Sequence, residues 1–287
     1  MTNFGFWNVN SLHDLDTDVR QMPRIGADLV FQHSLDIIFL IECKLSYSSL
    51  LAELYSRQEY FPVDCADRFK VLVNFNPAFM VRLQAHLMNN RFEIWHLMLP
   101  LQESVLLVLL HGLDQRNRDN ETNELFMGQV VEAISLYERQ VGHDRTIVLG
   151  DFNANPFDSP VASVRGMHAV MSKSIAQKPA RQLLQKDYPF FYNPMWRLYG
   201  KESDEQSPAS YYYQGSNSNE LYWHMLDQVI LRPTLIGRFD DSSLNIITNV
   251  GDKTLLMPSE IPNNSRYSDH LPVVFSLDMT HINEKGD

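Results

Sequence analysis

The sequence predicts an α/β (α+β) fold in which sheets are covered on both faces and helices supply part of the cover. Three observations carry this. Short apolar runs bounded by polar or turn residues recur at Asn3 to Val9, Asp36 to Ile41, Val71 to Phe75, Ser104 to Leu110, Thr146 to Leu149, Met225 to Leu231 and Leu271 to Leu277, lengths that suit strands. Within them IIFLI, VLLVLL and VVF are apolar at consecutive positions, the pattern of strands with no solvent face. Between Asp119 and Val141, by contrast, Phe126, Met127, Val130, Val131, Ile134 and Tyr137 fall on one stripe and Gly142 offers a stop, the signature of an amphipathic helix.

Taken in order, the first strand is followed by a helical stretch from about Asp16 to His33, interrupted by Pro23, and the second by a helix from about Tyr47 to Gln58. The stretch Phe92 to Leu110 reads as two paired strands turning near Pro100 and Gln102. From 159 to 219 periodicity is poor, prolines stand at 179, 189, 194 and 208, and a polar GSNSN loop occupies 215 to 219. This predicts an irregular, surface-forming insertion. Residues 281–287 read as a polar tail, so residues 1–280 are expected to form one domain. With 44% hydrophobic residues in 287, one large core is within reach.

The formal charge of −11 opposes broad, charge-driven coating of nucleic acid. It leaves room for a local positive field made by a divalent ion and a few basic side chains. Cys43 and Cys65 are the only cysteines, too few for a disulfide scaffold and without zinc-site spacing, and they are expected to be buried thiols. The opening MTNFGFWNVNSLHDLD has no basic, apolar, cleavable pattern, and no window reaches the roughly 18 apolar residues of a membrane span. The expectation is a soluble, cytoplasmic protein with no membrane partner. Nothing in the sequence identifies a protein partner.

The informative pattern is positional. Polar residues of catalytic type stand where apolar runs begin or end: Asn8 and Asn10 after FGFW, Glu42 after IIFLI, His111 after VLLVLL, Asp151 and Asn153 after TIVLG. Asp227 enters the run QVIL, and Ser268-Asp269-His270 enters LPVVFSL. Strand ends can bring such side chains to one edge of a layered sheet while the strands hold them rigidly.

Those segments, FWNVN at 6 to 10, IIFLIECK at 37 to 44, GDFNANPFD at 150 to 158, LDQVIL at 226 to 231 and SDHLPVVF at 268 to 275, resemble the motifs of the endonuclease/exonuclease/phosphatase superfamily. They come in that superfamily's order and span nearly the whole chain. The resemblance implies a four-layer αββα sandwich of two mostly antiparallel sheets flanked by helices, and a metal-dependent hydrolase of phosphoric esters. It implies magnesium, with manganese a possible substitute, held by Glu42 with support from Asn8 and Asp269. By the same resemblance Asp151 positions and deprotonates the attacking water, and Asn153 donates to a phosphate oxygen. His270 is paired with Asp227, and His111 is a candidate general acid for the leaving oxygen. The sequence also departs from the pattern. Ile41 stands where many members place a Gln before the metal-binding Glu, which removes any contact that Gln would make. After His111 the chain reads GLDQRN, without the Pro-Asn segment of abasic-site endonucleases, and the two inositol phosphatase signatures are missing.

One segment differs in charge. Arg165 to Lys201 holds Arg165, Lys173, Lys178, Arg181, Lys186, Arg197 and Lys201 against one acid, Asp187, with Tyr188, Phe190, Phe191, Tyr192 and Trp196 interleaved. Basic side chains for phosphates and aromatic faces for bases suit a single-strand groove, and Lys173, Lys178, Arg181, Lys186, Tyr192 and Trp196 are the candidate contacts. The segment follows GDFN closely, so it is expected near the catalytic edge. The competing reading is a surface of solvated lysines followed by an aromatic core plug; Tyr211-Tyr212-Tyr213 is read mainly as packing. Three functions stay open: a nuclease, a phosphatase or phospholipase acting on a phosphorylated lipid, inositol or nucleotide, and a non-catalytic binding module.

Overall fold

The structure, a computed structural model, describes residues 1–10, 21–55, 58–85, 90–99, 103–114, 120–201, 207–216, 218 and 220–280. The first half of the chain runs β1 (Thr2–Asn8), α1 (Gln21–Gln32), β2 (Ile37–Ile41), α2 (Tyr47–Leu54), β3 (Phe61–Val63), β4 (Phe69–Val73), β5 (Met80–Ala85), β6 (Phe92–Leu97), β7 (Val105–His111), α3 (Asn120–Val141) and β8 (Thr146–Asp151). It continues with α4 (Ser159–Ala162), β9 (Ala169–Val170), α5 (Lys173–Ala176), β10 (Arg181–Leu183), β11 (Lys186–Tyr188), β12 (Phe191–Tyr192), β13 (Tyr211–Tyr212) and β14 (Trp223–His224). The last strands are β15 (Asp227–Leu231), β16 (Phe239–Ile246), β17 (Asn249–Val250), β18 (Lys253–Thr254) and β19 (Val273–Leu277).

Two sheets form the frame, one of six strands in the order β16-β19-β1-β2-β4-β3 and one of seven in the order β5-β6-β7-β8-β15-β12-β9. Most neighbours are antiparallel. The parallel pairs are β1/β2 in the first sheet and β7/β8 and β9/β12 in the second. A parallel pair cannot be closed by a tight turn and needs a crossover segment, which α1 provides for β1/β2 and α3 for β7/β8. Each crossover helix lies on its own sheet, and the result is the αββα sandwich.

The consecutive apolar residues of β7 divide between two cores. Val105, Leu107 and Leu109 face the inner core with Ile147, Leu149, Val229 and the first sheet. Leu106, Val108 and Leu110 face the outer core with Phe126, Met127, Val130 and Ile134 of α3. Each such fully buried aliphatic side chain contributes about 1.5–3 kcal/mol by leaving water, which is why β7 has no polar position until His111. Among the described residues no helix is long and apolar enough to cross a membrane.

Where the structure differs from expectation, local causes are visible. The described helix α1 runs through Pro23 without interruption; its expected start at Asp16, the 100–102 turn and the 281–287 tail lie outside the described residues. Helix α2 ends at Leu54 rather than Gln58. Strands β3, β5 and β16 were not expected; β16 reads FDDSSLNI, and its polar bulge hides any alternation. The segment 159–219 is less irregular than expected. Its strands β9 and β12 extend the seven-stranded sheet, and Met167, Phe191 and Met195 are fully buried. Strands of two residues are too short to carry a period.

Two glycines let β7 and β8 close up. A Cβ on Gly150 would lie 1.9 Å from the Leu110 carbonyl oxygen, and one on Gly112 would lie 2.2 Å from that of Phe152. Only glycine permits this approach. Buried Asn123 of α3 locks the same region, accepting from the Leu113 N–H and donating to the Phe152 carbonyl, each at 3.3 Å.

Candidate active site

Strand register assembles the site. In the first sheet Asn8 is level with Ile41, so Glu42 emerges beside Asn8 where β1 and β2 end. In the second sheet His111 is level with Asp151, and Asp227, beginning the antiparallel β15, is level with Asp151 as well. The two sheets meet here: Asn8 Nδ2 donates to Asp151 Oδ2 at 3.1 Å. The segment before β19 is tied to the same edge, with Trp7 Nε1 donating to the His270 carbonyl at 2.9 Å and Ser268 Oγ donating to the Asn8 carbonyl at 2.7 Å.

The result is a cavity of about 460 Å³ lined by Asn8, Asn10, Glu42, His111, Asp151, Asn153, Asp269 and His270, among others. Asp227 lies fully buried behind His270, its Oδ2 2.7 Å from Nδ1. Asn153 donates from its backbone to Asp151 Oδ1 at 2.7 Å. Asn10 Nδ2 donates to Asp269 Oδ1 at 2.7 Å, and His111 Nε2 is 3.2 Å from Glu42 Oε1. Asn10, Glu42 and Asn153 all have positive φ, at 36°, 52° and 48°. Asn tolerates this conformation; Glu does not, and such strain costs about 1–3 kcal/mol per residue, held by the surrounding structure.

Burial and charge set opposite proton affinities. Asp151 is buried, and loss of hydration pushes its carboxyl up to about 6, although the His270 charge works the other way. Burial alone would lower His270, but the Asp227 carboxylate, with Asp151 beyond it, outweighs that and raises it to about 10. The hydrogen bond with His111 holds Glu42 below the usual carboxylate range. Two atoms of the set, Asp227 Oδ1 and His111 Nδ1, are buried without a hydrogen-bond partner among the described residues.

Asp151, Asp227 and His270 offer three ligand atoms within 4.8 Å of one another, close enough to hold a metal ion. Within this group the Asp227 Oδ2 and His270 Nδ1 atoms already pair with each other at 2.7 Å, which leaves Asp227 Oδ1 and His270 Nε2 as the atoms open to an ion. Glu42, Asp269, Asn8 and Asn10 are among the hard oxygen donors that line the cavity. That donor set fits a magnesium-type ion that keeps part of its water shell.

The candidate substrate contacts do not converge on this cavity; among the described residues none of the six lines it. Tyr192 is level with Leu231, at the end of β15 away from Asp227, so this part of the segment does not reach the expected catalytic edge, whereas Trp196 and Tyr199 pack on Phe157 and the Tyr199 hydroxyl donates to the Trp223 carbonyl beside His224. Tyr192 is 5% exposed and its hydroxyl donates to Asp241 Oδ1 at 3.5 Å, so its ring is core and cannot stack on a base. Lys173 is paired with Asp241. Trp196 is half-buried against Phe157. Lys178 precedes, and Arg181 and Lys186 sit on, the exposed β10–β11 hairpin. Sequence reasoning missed Asp114, Tyr211, Tyr213, Glu220, His224 and Leu226, which do line the cavity. The Tyr211–Tyr213 run was the available signal, and it was read as packing.

No protein-family model matches this chain, and no curated protein matches it. Solved structures do. The chain is similar to a 3' phosphatase, NExo, from Neisseria bound to product DNA hairpin, with TM-score 0.54 and 14% identity over 97% of this chain and 100% of that one. It is similar to D. rerio TDP2 complexed with single strand DNA product, with TM-score 0.57 and 17% identity over 96% and 98%. It is also similar to an endonuclease/exonuclease/phosphatase family protein from Leptotrichia buccalis, with TM-score 0.53 and 13% identity over 97% and 100%. At these identities the likeness is one of fold.

Proposed function

We propose that this chain, which carries the fold of the endonuclease/exonuclease/phosphatase superfamily, is a magnesium-dependent phosphodiesterase that hydrolyses DNA or RNA. The observation that carries this reading is the buried Asp227–His270 pair beside Asp151, facing Glu42 and Asp269 across one cavity. A phosphodiester repels a nucleophile and has a poor leaving group, so a site must neutralise charge, aim a water and protonate the departing oxygen. Bound magnesium, or manganese in its place, supplies charge neutralisation at a phosphate oxygen, with Glu42, Asp269 and the Asn8 and Asn10 amides as its holders.

The chain's own groups do the rest. Asp151, with its proton affinity raised by burial, takes the proton of the attacking water, and the Asn8 and Asn153 amides fix the carboxylate in place. His270, kept charged by Asp227, donates from Nε2 to a phosphate oxygen, and Asn153 Nδ2 adds a second donor in exchange for its 3.3 Å contact with the Gly112 carbonyl. His111 delivers a proton to the leaving oxygen. A decayed, non-catalytic module would have no use for a buried charge pair that opposes stability.

The test is incubation of purified protein with magnesium and a panel of single-stranded, duplex and nicked DNA, RNA, inositol phosphates and an aryl phosphodiester. Metal-dependent cleavage of polynucleotide is expected. Turnover confined to inositol phosphates would move the assignment to a small-molecule phosphatase, and full activity in excess chelator would remove the metal.

A further inference from the structure

We infer that His224 is a positioning residue: held as a neutral imidazole between the Asn155 amide and the Glu220 carboxylate, it fixes the strand pair that lies against His270. This deepens the phosphodiesterase reading above and rests on it.

Asn155 follows Asp151 and Asn153 in the GDFNANPFD segment and is buried. Two contacts settle which way its amide points. The Met225 N–H, which can only donate, lies 3.0 Å from Asn155 Oδ1. On the other side Asn155 Nδ2 donates to Asp158 Oδ2 at 3.3 Å. Turning the amide over would set its NH2 against an N–H and its oxygen against a carboxylate, so neither contact would survive. The same NH2 lies 3.2 Å from His224 Nδ1, which makes Nδ1 the acceptor and leaves it without a proton. The other nitrogen, Nε2, is 2.8 Å from Glu220 Oε1 and donates to it. An imidazolium carries a proton on each nitrogen and would face the Asn155 NH2 donor to donor.

His224 lines the catalytic cavity, yet both of its nitrogens are engaged by the protein. It has neither a proton nor a lone pair to offer a substrate, so its service is to what surrounds it. His224 lies in β14 and is level with Tyr211 of β13. Tyr211 in turn bridges to His270, and its ring lies 4.5 Å from that imidazole, within the range of a cation over an aromatic face. Downstream of His224 the chain runs directly into Asp227. On that path the Met225 N–H is held by Asn155, and the Leu226 carbonyl accepts from the Phe152 N–H at 2.8 Å.

Glu220 closes the far end of the relay by accepting from the Tyr222 N–H at 3.1 Å. One amide of the Asp151 segment thus sets, through His224, both the strand that carries Asp227 and the ring beside His270. A displacement of about 1 Å at such a place can cost about a hundredfold in rate.

The experiment compares three replacements of one ring on an oligonucleotide substrate. His224→Ala should lower kcat by about 10- to 100-fold with little change in KM. His224→Gln should recover most of kcat, because its side-chain oxygen can accept from Asn155 while its NH2 donates to Glu220; His224→Lys, which only donates, should not. Equal losses in the Gln and Lys variants would overturn the donor–acceptor relay, and a change in KM alone would make His224 a substrate contact instead. A second readout needs no turnover. Long-range 1H–15N spectra near neutral pH, with the His224 signal identified by its absence in His224→Gln, should show a proton on Nε2 and none on Nδ1. Glu220→Gln should show the same tautomer, since the Tyr222 N–H keeps an oxygen turned to that place. A His224 protonated on both nitrogens would overturn the neutral lock. The expected tautomer without hydrolysis of any phosphodiester would overturn the nuclease reading and keep the lock. Hydrolysis that His224→Ala leaves unchanged would overturn the positioning role and keep the nuclease reading.

Discussion

Replacing Asp151 by Asn should destroy activity and stabilise the fold, by an amount that depends on pH. In the folded protein the Asp151 carboxyl is pushed from its ordinary 3.8 to about 6. As pH rises the unfolded chain therefore releases this proton first, the folded state holds more protons between about 4 and 6, and stability falls across that window. Above about 6 the full cost stands, about 3 kcal/mol at roughly 1.4 kcal/mol per pH step. Asn carries no such cost. It keeps the acceptor for the Asn153 N–H but turns an amide NH2 toward Asn8 Nδ2 and Asn153 Nδ2, losing the 3.1 Å and 3.3 Å bonds, together worth about 2 kcal/mol. The net gain is about 1 kcal/mol at pH 8, a rise in Tm of about 2–4 °C, vanishing as pH falls toward about 5. Thermal unfolding of both proteins across that pH range measures it, beside a turnover loss of at least about a hundredfold. A Tm difference of the same size at every pH, or a lower Tm at pH 8, would refute the claim that a buried charge is being held against its preference.

His270→Ala should cut turnover by at least about a hundredfold and, unlike Asp151→Asn, should lower Tm, because it strands the Asp227 carboxylate without its counter-charge; about 3–5 kcal/mol is expected, and Asp227→Asn on top of it should recover part of the loss. His111→Ala should slow hydrolysis most on substrates with poor leaving groups and be partly rescued on an activated aryl phosphodiester; equal losses on both would assign His111 a positioning role through Glu42. Neutralising Lys178, Arg181 and Lys186 together should leave kcat/KM on a short oligonucleotide within about twofold at moderate salt, since the register carries their segment away from Asp227; a large loss would show that the nucleic acid reaches round to that hairpin.

The residues that the structure gathers into the candidate site were legible because they interrupt apolar runs. Glu42, His111 and Asp151 each stand at the first polar position after a strand with no solvent face, and polarity there has no packing explanation. Asp227 and His270 were legible as the matching starts of antiparallel strands. Legibility failed where the answer depended on which end of a strand a neighbour meets. Tyr192 and Asp227 belong to adjacent strands, yet pairing with Leu231 sends the tyrosine to the far end, and nothing local encodes that. The Tyr211–Tyr213 run failed differently: alternate burial was foreseen, but whether the other face met solvent or the catalytic cavity depends on the bridge to His270. Strand β16 was hidden because its polar bulge of Asp240 to Ser243 breaks the period of two.

The contact between Asn8 and Asp151 joins the two sheets at the candidate site. Glu42 belongs to one sheet and Asp151 to the other, and His270 arrives only when β19 has paired with β1, a partner from the opposite end of the described chain. Neither sheet alone therefore holds the residue set proposed to carry hydrolysis, so the proposed activity requires the assembled stack and should disappear when the sheets part.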